Sequence, residues 1–212
     1  MDALTIVASN LTKRFSMKPV FKPVSFEAAR GEIIGITGQN GAGKSTLLKI
    51  VGNVLSPTKG SCTWSRGSAK LDNDAIRLTL GYVAPYLELY DELTAAEHVQ
   101  FVADLKGQSI SLEDSIELLD RFGLDEKVAR SDRHLRAYSS GMKQRVRCAM
   151  AFACSPEALL LDEATSTLDD VGTSIVLREA RAAADRGAIV FVATNDEREL
   201  AATHREVRIE SL

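Results

Sequence analysis

No run of the 212 residues approaches 18 consecutive apolar side chains, so the sequence offers no membrane-spanning helix. Met1-Asp2-Ala3-Leu4 lacks the basic and apolar regions of a secretory signal, and the chain is expected to be soluble and intracellular. Cysteine is scarce: Cys62, Cys148 and Cys154 have no Cys-x-x-Cys spacing, which argues against a disulfide framework or a structural zinc site. They are expected as small buried or half-buried side chains. His98, His134 and His204 are scattered and give no support to metal chemistry through histidine. Positive charge is not in excess either. Lys plus Arg total 26 against 29 Asp plus Glu, so no global basic field favours nucleic acid and no direct nucleic-acid partner is expected. The length suits one large domain, or one domain with a lobe inserted into it.

Against these absences stands Gly38-Gln39-Asn40-Gly41-Ala42-Gly43-Lys44-Ser45, the spacing of a phosphate-binding loop, preceded by the short apolar stretch Gly31–Thr37 that reads as a buried strand. Glycines permit a tight loop whose N–H groups point inward, Lys44 can reach the β- and γ-phosphates, and Ser45 can offer an oxygen to Mg²⁺ at the start of the next helix. A nucleoside triphosphate is therefore the first ligand to consider. The competing reading is a Gly-rich turn with a solvated lysine, which does not use the strand-loop-helix order.

Along the chain, Leu4–Ala8 and Val20–Ala28 read as early strands forming an antiparallel edge, and Ser45–Val51 as the helix after the loop. Trp64 is expected in the core, residues 65–75 in a hairpin or loop, and Arg77–Val83 in a strand. From Thr94 to Gly123 apolar residues recur at helical spacing, with Gly107–Ser111 separating two helices. Thr94 and Glu97 form a capping-box pattern, and Ser111 and Asp114 a weaker version. The expected architecture is one α/β domain over residues 1–212, a phosphate-loop cassette with a mixed sheet core, an antiparallel β edge and an inserted helical lobe at about residues 94–137.

Two further segments carry chemistry. Ala158–Leu161 is a buried strand ending in Asp162-Glu163, where an α/β sheet places ligand-binding groups. Asp162 is expected to face Mg²⁺, and Glu163 to orient or deprotonate an attacking water; alone, the pair would read as a strand-end charge pair. Tyr138-Ser139-Ser140-Gly141-Met142-Lys143-Gln144-Arg145 opens a helix, with a hydroxyl and free N–H groups that make either a second anion site or an ordinary N-cap. Its lysine and arginine could belong to a solvated face.

These segments together resemble the ATP-binding cassette family of transporter ATPases over nearly the whole length. The resemblance implies Walker A at Gly38–Ser45, so that Asn40, Gly41, Ala42, Gly43, Lys44, Ser45 and Thr46 bind ATP. It implies the signature segment at Tyr138–Met142, Walker B at Ala158–Glu163, the D-loop at Ser166–Asp169, and an adenine-stacking aromatic at Phe15, which could otherwise be core. It also implies pairing of two copies head to tail, with Ser139 and Gly141 completing the neighbour's ATP site. A separate multispan permease would hold the chain at the inner face of the membrane. Mg²⁺-dependent ATP hydrolysis is expected, in a short export-type or haem-exporter-like cassette. A non-transport cassette ATPase and a weakly hydrolysing regulatory subunit are the alternatives.

Three departures bear on mechanism. The signature reads Tyr-Ser-Ser-Gly-Met where Leu-Ser-Gly-Gly-Gln is commonest, a spelling found in some export-type cassettes. Pro85 stands where most relatives have a glutamine, and it has no side-chain ligand. Asn195 stands where a histidine usually contacts γ-phosphate; it donates a hydrogen bond but carries no charge, and it could be only a helix cap.

Overall fold

The structure is a computed structural model that describes residues 3–16 and 18–211. The chain forms two compact units, one made of Met1–Tyr82, Glu157–Asp162 and Ala180–Leu212, the other of Val83–Pro156 and Glu163–Glu179.

The first unit contains two sheets. Strands β1 (Leu4–Thr12), β4 (Val24–Ala29), β6 (Lys59–Arg66) and β7 (Ala69–Lys70) form an antiparallel sheet in the order β4-β1-β6-β7, and β2 (Arg14–Phe15) pairs with β3 (Lys18–Pro19) as a short ribbon. In β4 buried and exposed positions alternate strictly, as expected where one face meets the core and the other meets water. The second sheet has the order β11-β5-β10-β9-β8, from β5 (Ile33–Thr37), β8 (Leu80–Val83), β9 (Ala158–Asp162), β10 (Ile189–Ala193) and β11 (Arg205–Arg208). Every residue of β5, β9 and β10 is buried, and β10 pairs in parallel with both neighbours. Runs such as Ala158-Leu159-Leu160-Leu161 are the sequence form of a strand covered on both faces. Helix α1 (Lys44–Val51) packs on β9 and β10. Trp64, 1% exposed, joins the antiparallel sheet to this helix by donating its indole N–H to the carbonyl of Val51 at 2.8 Å, which satisfies one of the orphan acceptors at the helix end. Helix α8 (Glu197–Ala201) precedes β11.

Two expected strands are shortened; residues 20–23 lie outside β4, which begins at Val24. Arg77–Thr79 belong to α2 (Asn73–Thr79), and only Leu80–Val83 is extended. The cause is local: Asp72 Oδ1 accepts the N–H of Ala75 at 2.8 Å and starts a helix inside the polar stretch expected to be a hairpin or loop. The hairpin is limited to β6 and β7.

The second unit is helical, with α3 (Ala95–Leu105), α4 (Leu112–Arg121), α5 (Glu126–Ala129), a 3₁₀ turn at Leu135–Ala137 and α6 (Ser140–Phe152). Helix α7 (Asp170–Asp185) begins in this unit and ends in the first. Helices α3, α4 and α6 pack mutually, with Phe122 and Phe152 rings 5.0 Å apart. Thr94 and Glu97 form the full reciprocal capping box. Ser111 accepts the Asp114 N–H, but Asp114 takes a bond from the Ser111 hydroxyl instead of reaching back to its backbone, because aspartate is one carbon shorter. His98 is fully buried on α3. Its Nε2 accepts the Tyr90 N–H at 3.0 Å, so Nδ1 carries the proton donated to the Thr94 carbonyl at 2.8 Å.

This neutral histidine has a pH consequence. Burial pushes the imidazole below its ordinary value, against the opposing pull of the Thr94 carbonyl and Glu97. The unfolded chain therefore takes up the proton more readily than the folded one. The contribution to stability is complete above the unfolded histidine value of about 6.5 and is lost as pH falls below it. Chemical denaturation from about pH 7.5 to about pH 5.5 should show a steeper loss of stability in the wild-type chain than in His98→Gln. Equal slopes would remove His98 as the source.

Candidate functional site

In the first unit the phosphate-loop residues grow directly out of β5. Gly43 has φ +100, and a Cβ there would stand 2.9 Å from Phe21 Cδ1, so neither the backbone nor the space admits another residue without strain. Helix α1 starts at the next residue with no side-chain cap and no acid in its first turn, leaving its N–H groups and positive dipole end for an anion. Lys44 is 7% exposed and curls back over the loop, donating to the carbonyls of Gly38 at 2.9 Å and Gln39 at 3.4 Å. Ala42 N–H bonds to Gln39 O at 3.0 Å and closes the turn around Asn40 and Gly41. Thr46 is half-buried on α1.

Two other strand ends meet this loop. Asp162, 1% exposed at the end of β9, accepts the Ser45 hydroxyl at 2.9 Å on Oδ1. Asn195, exposed just beyond β10, donates from Nδ2 to Asn40 Oδ1 at 2.8 Å. The cap of α8 is Asp196, which accepts the Arg198 N–H at 2.8 Å; Asn195 is therefore not that cap. Its amide is instead aimed at the phosphate loop.

Phe15 is 52% exposed on β2, which removes the core alternative. Lys13 Nζ lies 5.2 Å from the ring centroid. The ribbon that carries Phe15 is anchored by the bond from Val20 N–H to Lys13 O at 2.8 Å, and the Val20 side chain borders Gly43. The aromatic thus stands on a short ribbon rooted beside the loop.

In the second unit, Glu163 follows Asp162 directly and holds φ +48, an uncommon conformation for a residue with a long side chain. Ser139 is the N-cap of α6 and accepts the Met142 N–H at 3.2 Å. The cap reading of Ser139 is therefore realised, and its hydroxyl remains exposed. A Cβ on Gly141 would lie 3.3 Å from the Thr167 carbonyl, so the signature turn packs closely on the segment before Asp169. Pro85 occupies the second position of a turn closed by Leu87 N–H to Ala84 O at 3.1 Å, where its fixed φ is at home.

Sequence reasoning missed Gln144 and Arg145. Gln144 is 1% exposed and donates to Ala164 O at 2.7 Å. For Arg145 the sequence leaves a solvated face open, yet its side chain is 15% exposed and ion-paired with Asp169 at 2.8 Å. Helical spacing carried part of the signal, since Gln144 lies within a turn of buried Val146 and Cys148 on α6.

With a buried carboxylate and a serine hydroxyl set at a glycine loop, the arrangement can hold a phosphate chain and a hard divalent cation. A family model described as ABC transporter matches residues 21–166, more than half of the chain. The methionine import ATP-binding protein MetN of Brucella abortus is 36% identical over 182 residues, covering 83% of this chain and 48% of MetN. The ABC-type transporter ATP-binding protein EcsA of Bacillus subtilis is 31% identical over 188 residues, covering 88% of this chain and 75% of EcsA. The chain thus spans about half the length of MetN and more of EcsA. Among solved structures, the dimeric bacterial ABC transporter cassette MJ0796 is similar with a TM-score of 0.84 and 28% identity, covering 96% of this chain and 94% of that one. Its post-hydrolysis dimer bound to ADP and Pi gives 0.84 and 27%, covering 97% and 94%. Because the matched segment runs from before the phosphate loop to beyond Glu163, and the fold agrees over nearly its whole length, this chain belongs to the ABC transporter family.

Proposed function

We propose that this chain is the ATP-hydrolysing subunit of a membrane transporter, working as a pair of identical cassettes that drive a separate multispan permease from the inner face of the membrane. The observation that carries the reading is the Ser45 to Asp162 bond, which brings two hard oxygens together at the mouth of the phosphate loop. The dimeric, ADP- and Pi-bound state described for MJ0796 supports pairing and hydrolysis. Mg²⁺ would be held by Ser45 and Asp162 together with the nucleotide's own phosphates, since these two hard oxygens already meet at the loop. When bound, it supplies charge neutralisation along the phosphate chain.

The residues of this chain divide the work. Lys44 leaves the Gly38 and Gln39 carbonyls to meet the phosphate charge, while the loop and α1 N–H groups bind the phosphate oxygens. Phe15 stacks on adenine. Glu163, held at a strained backbone position, orients the attacking water and accepts its proton. Asn195 donates to the γ-phosphate in place of its bond to Asn40. Ser139 and Gly141 complete the site of the second copy, and the helical segment at about 94–137 acts as the lobe that transmits ATP binding. Export is the proposed direction, on the Tyr-Ser-Ser-Gly-Met spelling; because MetN is named for import, transport into or out of permease-containing vesicles is the measurement that decides it. Pro85 and the neutral Asn195 favour the second reading, a weakly hydrolysing regulatory subunit, which a very low turnover of the paired wild-type chain would support.

Four outcomes test the assignment. Lys44→Ala should weaken ATP binding by about 10- to 100-fold through loss of a charge-assisted bond. Glu163→Gln should bind ATP normally, accumulate as a dimer in light scattering and release phosphate ~100-fold or more slowly; normal turnover would remove its role. Phe15→Ala should weaken ATP and GTP about equally in competition binding, by roughly tenfold, because stacking reads no base edge. Unchanged affinity for both would reject stacking. Asn195→Ala should bind ATP and dimerise normally yet slow single-turnover phosphate release by about tenfold, the scale of one directed hydrogen bond; wild-type release would withdraw it from the site.

A further inference from the structure

Arg145 lies six residues beyond the Ser139 cap on α6 and makes two directed bonds in different directions. One guanidinium nitrogen donates to the carbonyl of Phe122, the residue that closes α4, at 3.0 Å. Another donates to Asp169 Oδ1 at 2.8 Å. The same oxygen accepts the Gly172 N–H at 2.8 Å in the first turn of α7, the leading reason the Asp169 carboxyl sits below the usual carboxylate range. Room for this guanidinium depends on two absent side chains. A Cβ on Gly123 would collide with its Nη1, and one on Gly172 would stand 3.1 Å from Nη2 and 2.9 Å from Asp169 Oδ1.

One planar cation therefore fastens the end of α4, the shaft of α6 and the start of α7. A lysine, as a point charge, would not span the Phe122 carbonyl and the Asp169 carboxylate together. The tie joins the helix that begins at Ser139 and Gly141 to the end of the Ser166–Asp169 segment, and Gly141 already packs closely on the Thr167 carbonyl. Beside it the buried amide of Gln144 makes a second strut to Ala164. Ser139 and Asp169 are both exposed although each is held by bonds within its own chain, so both can face a second copy. We propose that Arg145 is a positioning residue that locks the signature segment and the Ser166–Asp169 loop into one surface, presented to the nucleotide of a second copy. This rests on the reading of the chain as a paired cassette. On it, removing the tie leaves a protomer's own phosphate loop intact and impairs the site that the protomer completes for its partner.

The test uses the full chain carrying Arg145→Lys, Asp169→Asn or both, each also combined with Glu163→Gln to trap the ATP-bound pair. Each single change should leave ATP affinity of the unpaired chain within about twofold and weaken ATP-dependent dimerisation by about tenfold or more. With Glu163 present, kcat should fall ~10- to 100-fold with KM for ATP little changed. The double variant should lose no more than the worse single one, because both changes break the same tie. If Arg145→Lys lowers only the melting temperature and pairs and turns over like its parent, Arg145 is a structural support and the proposal falls. Multiplying losses in the double variant would equally overturn it, since Arg145 would not then act through Asp169. Failure of Glu163→Gln by itself to bind ATP or pair would instead defeat the cassette reading, and that is measured before any Arg145 variant.

Discussion

Parallel pairing of β5, β10 and β9 sets Ile36, Ala193 and Asp162 at one level of the sheet. These strands are buried at every position, so their backbone N–H and C=O groups depend on partners within the protein, chiefly the neighbouring strands including β11 and β8, and slipping the register would strand them away from water. The chain must then leave the sheet at one edge three times. It does so into the Gly38–Gly43 loop, at Asp162, and toward Asn195. Meeting of the Ser45 hydroxyl with the Asp162 carboxylate, and of Asn195 with Asn40, follows from that shared edge. Residues more than a hundred positions apart become neighbours because the strands that carry them cannot shift.

Left-handed backbone occurs in both units, at Gly43 in the first and Glu163 in the second. Gly43 and Glu163 both have positive φ, but only the first is a glycine. Gly43 relieves a steric demand made by Val20 and Phe21, whereas Glu163 holds its conformation against its own side chain. Such strain persists when surrounding structure over-determines it, and here the residue before it is fixed in the buried strand β9. Lys44 helps to organise the loop, since its bonds to Gly38 and Gln39 keep a buried ammonium satisfied while the start of α1 has no side-chain cap.

The departures from the commonest family spelling take on physical meaning at particular positions. Asn195 keeps a donor at the phosphate loop but not a titratable one, so the local field does not depend on its protonation. Pro85 fits a turn rather than a liganding position, and the neighbouring backbone, through Leu87 O, accepts a bond from Arg147 at 2.7 Å. In the signature segment, Ser139 keeps its hydroxyl and its cap while Met142 contributes its N–H to that cap.

By itself the sequence determined the elements whose causes are local. The Gly38–Ser45 spacing dictates a loop before a helix, Ala158–Leu161 dictates a strand covered on both faces, and Thr94 with Glu97 dictates where α3 begins, because each depends on neighbours within a few residues. The extent of β8 was misread for the same reason in reverse: apolar content in Arg77–Val83 suggested a strand, and the Asp72 cap five residues earlier, unread, drew Arg77–Thr79 into a helix. Only the tertiary structure decided which polar side chains work together. Arg145 looked like part of a solvated face because nothing within a turn of it is its partner; its acceptors come from the end of α4 and the start of α7. For Asn195 the fold gives the cap to Asp196 and puts the Asn195 amide on Asn40, and for Phe15 it leaves the ring exposed instead of in the core. Capping and periodicity act over one turn and can be read in line, whereas a hydrogen bond between distant segments exists only after burial and register have brought its two ends together.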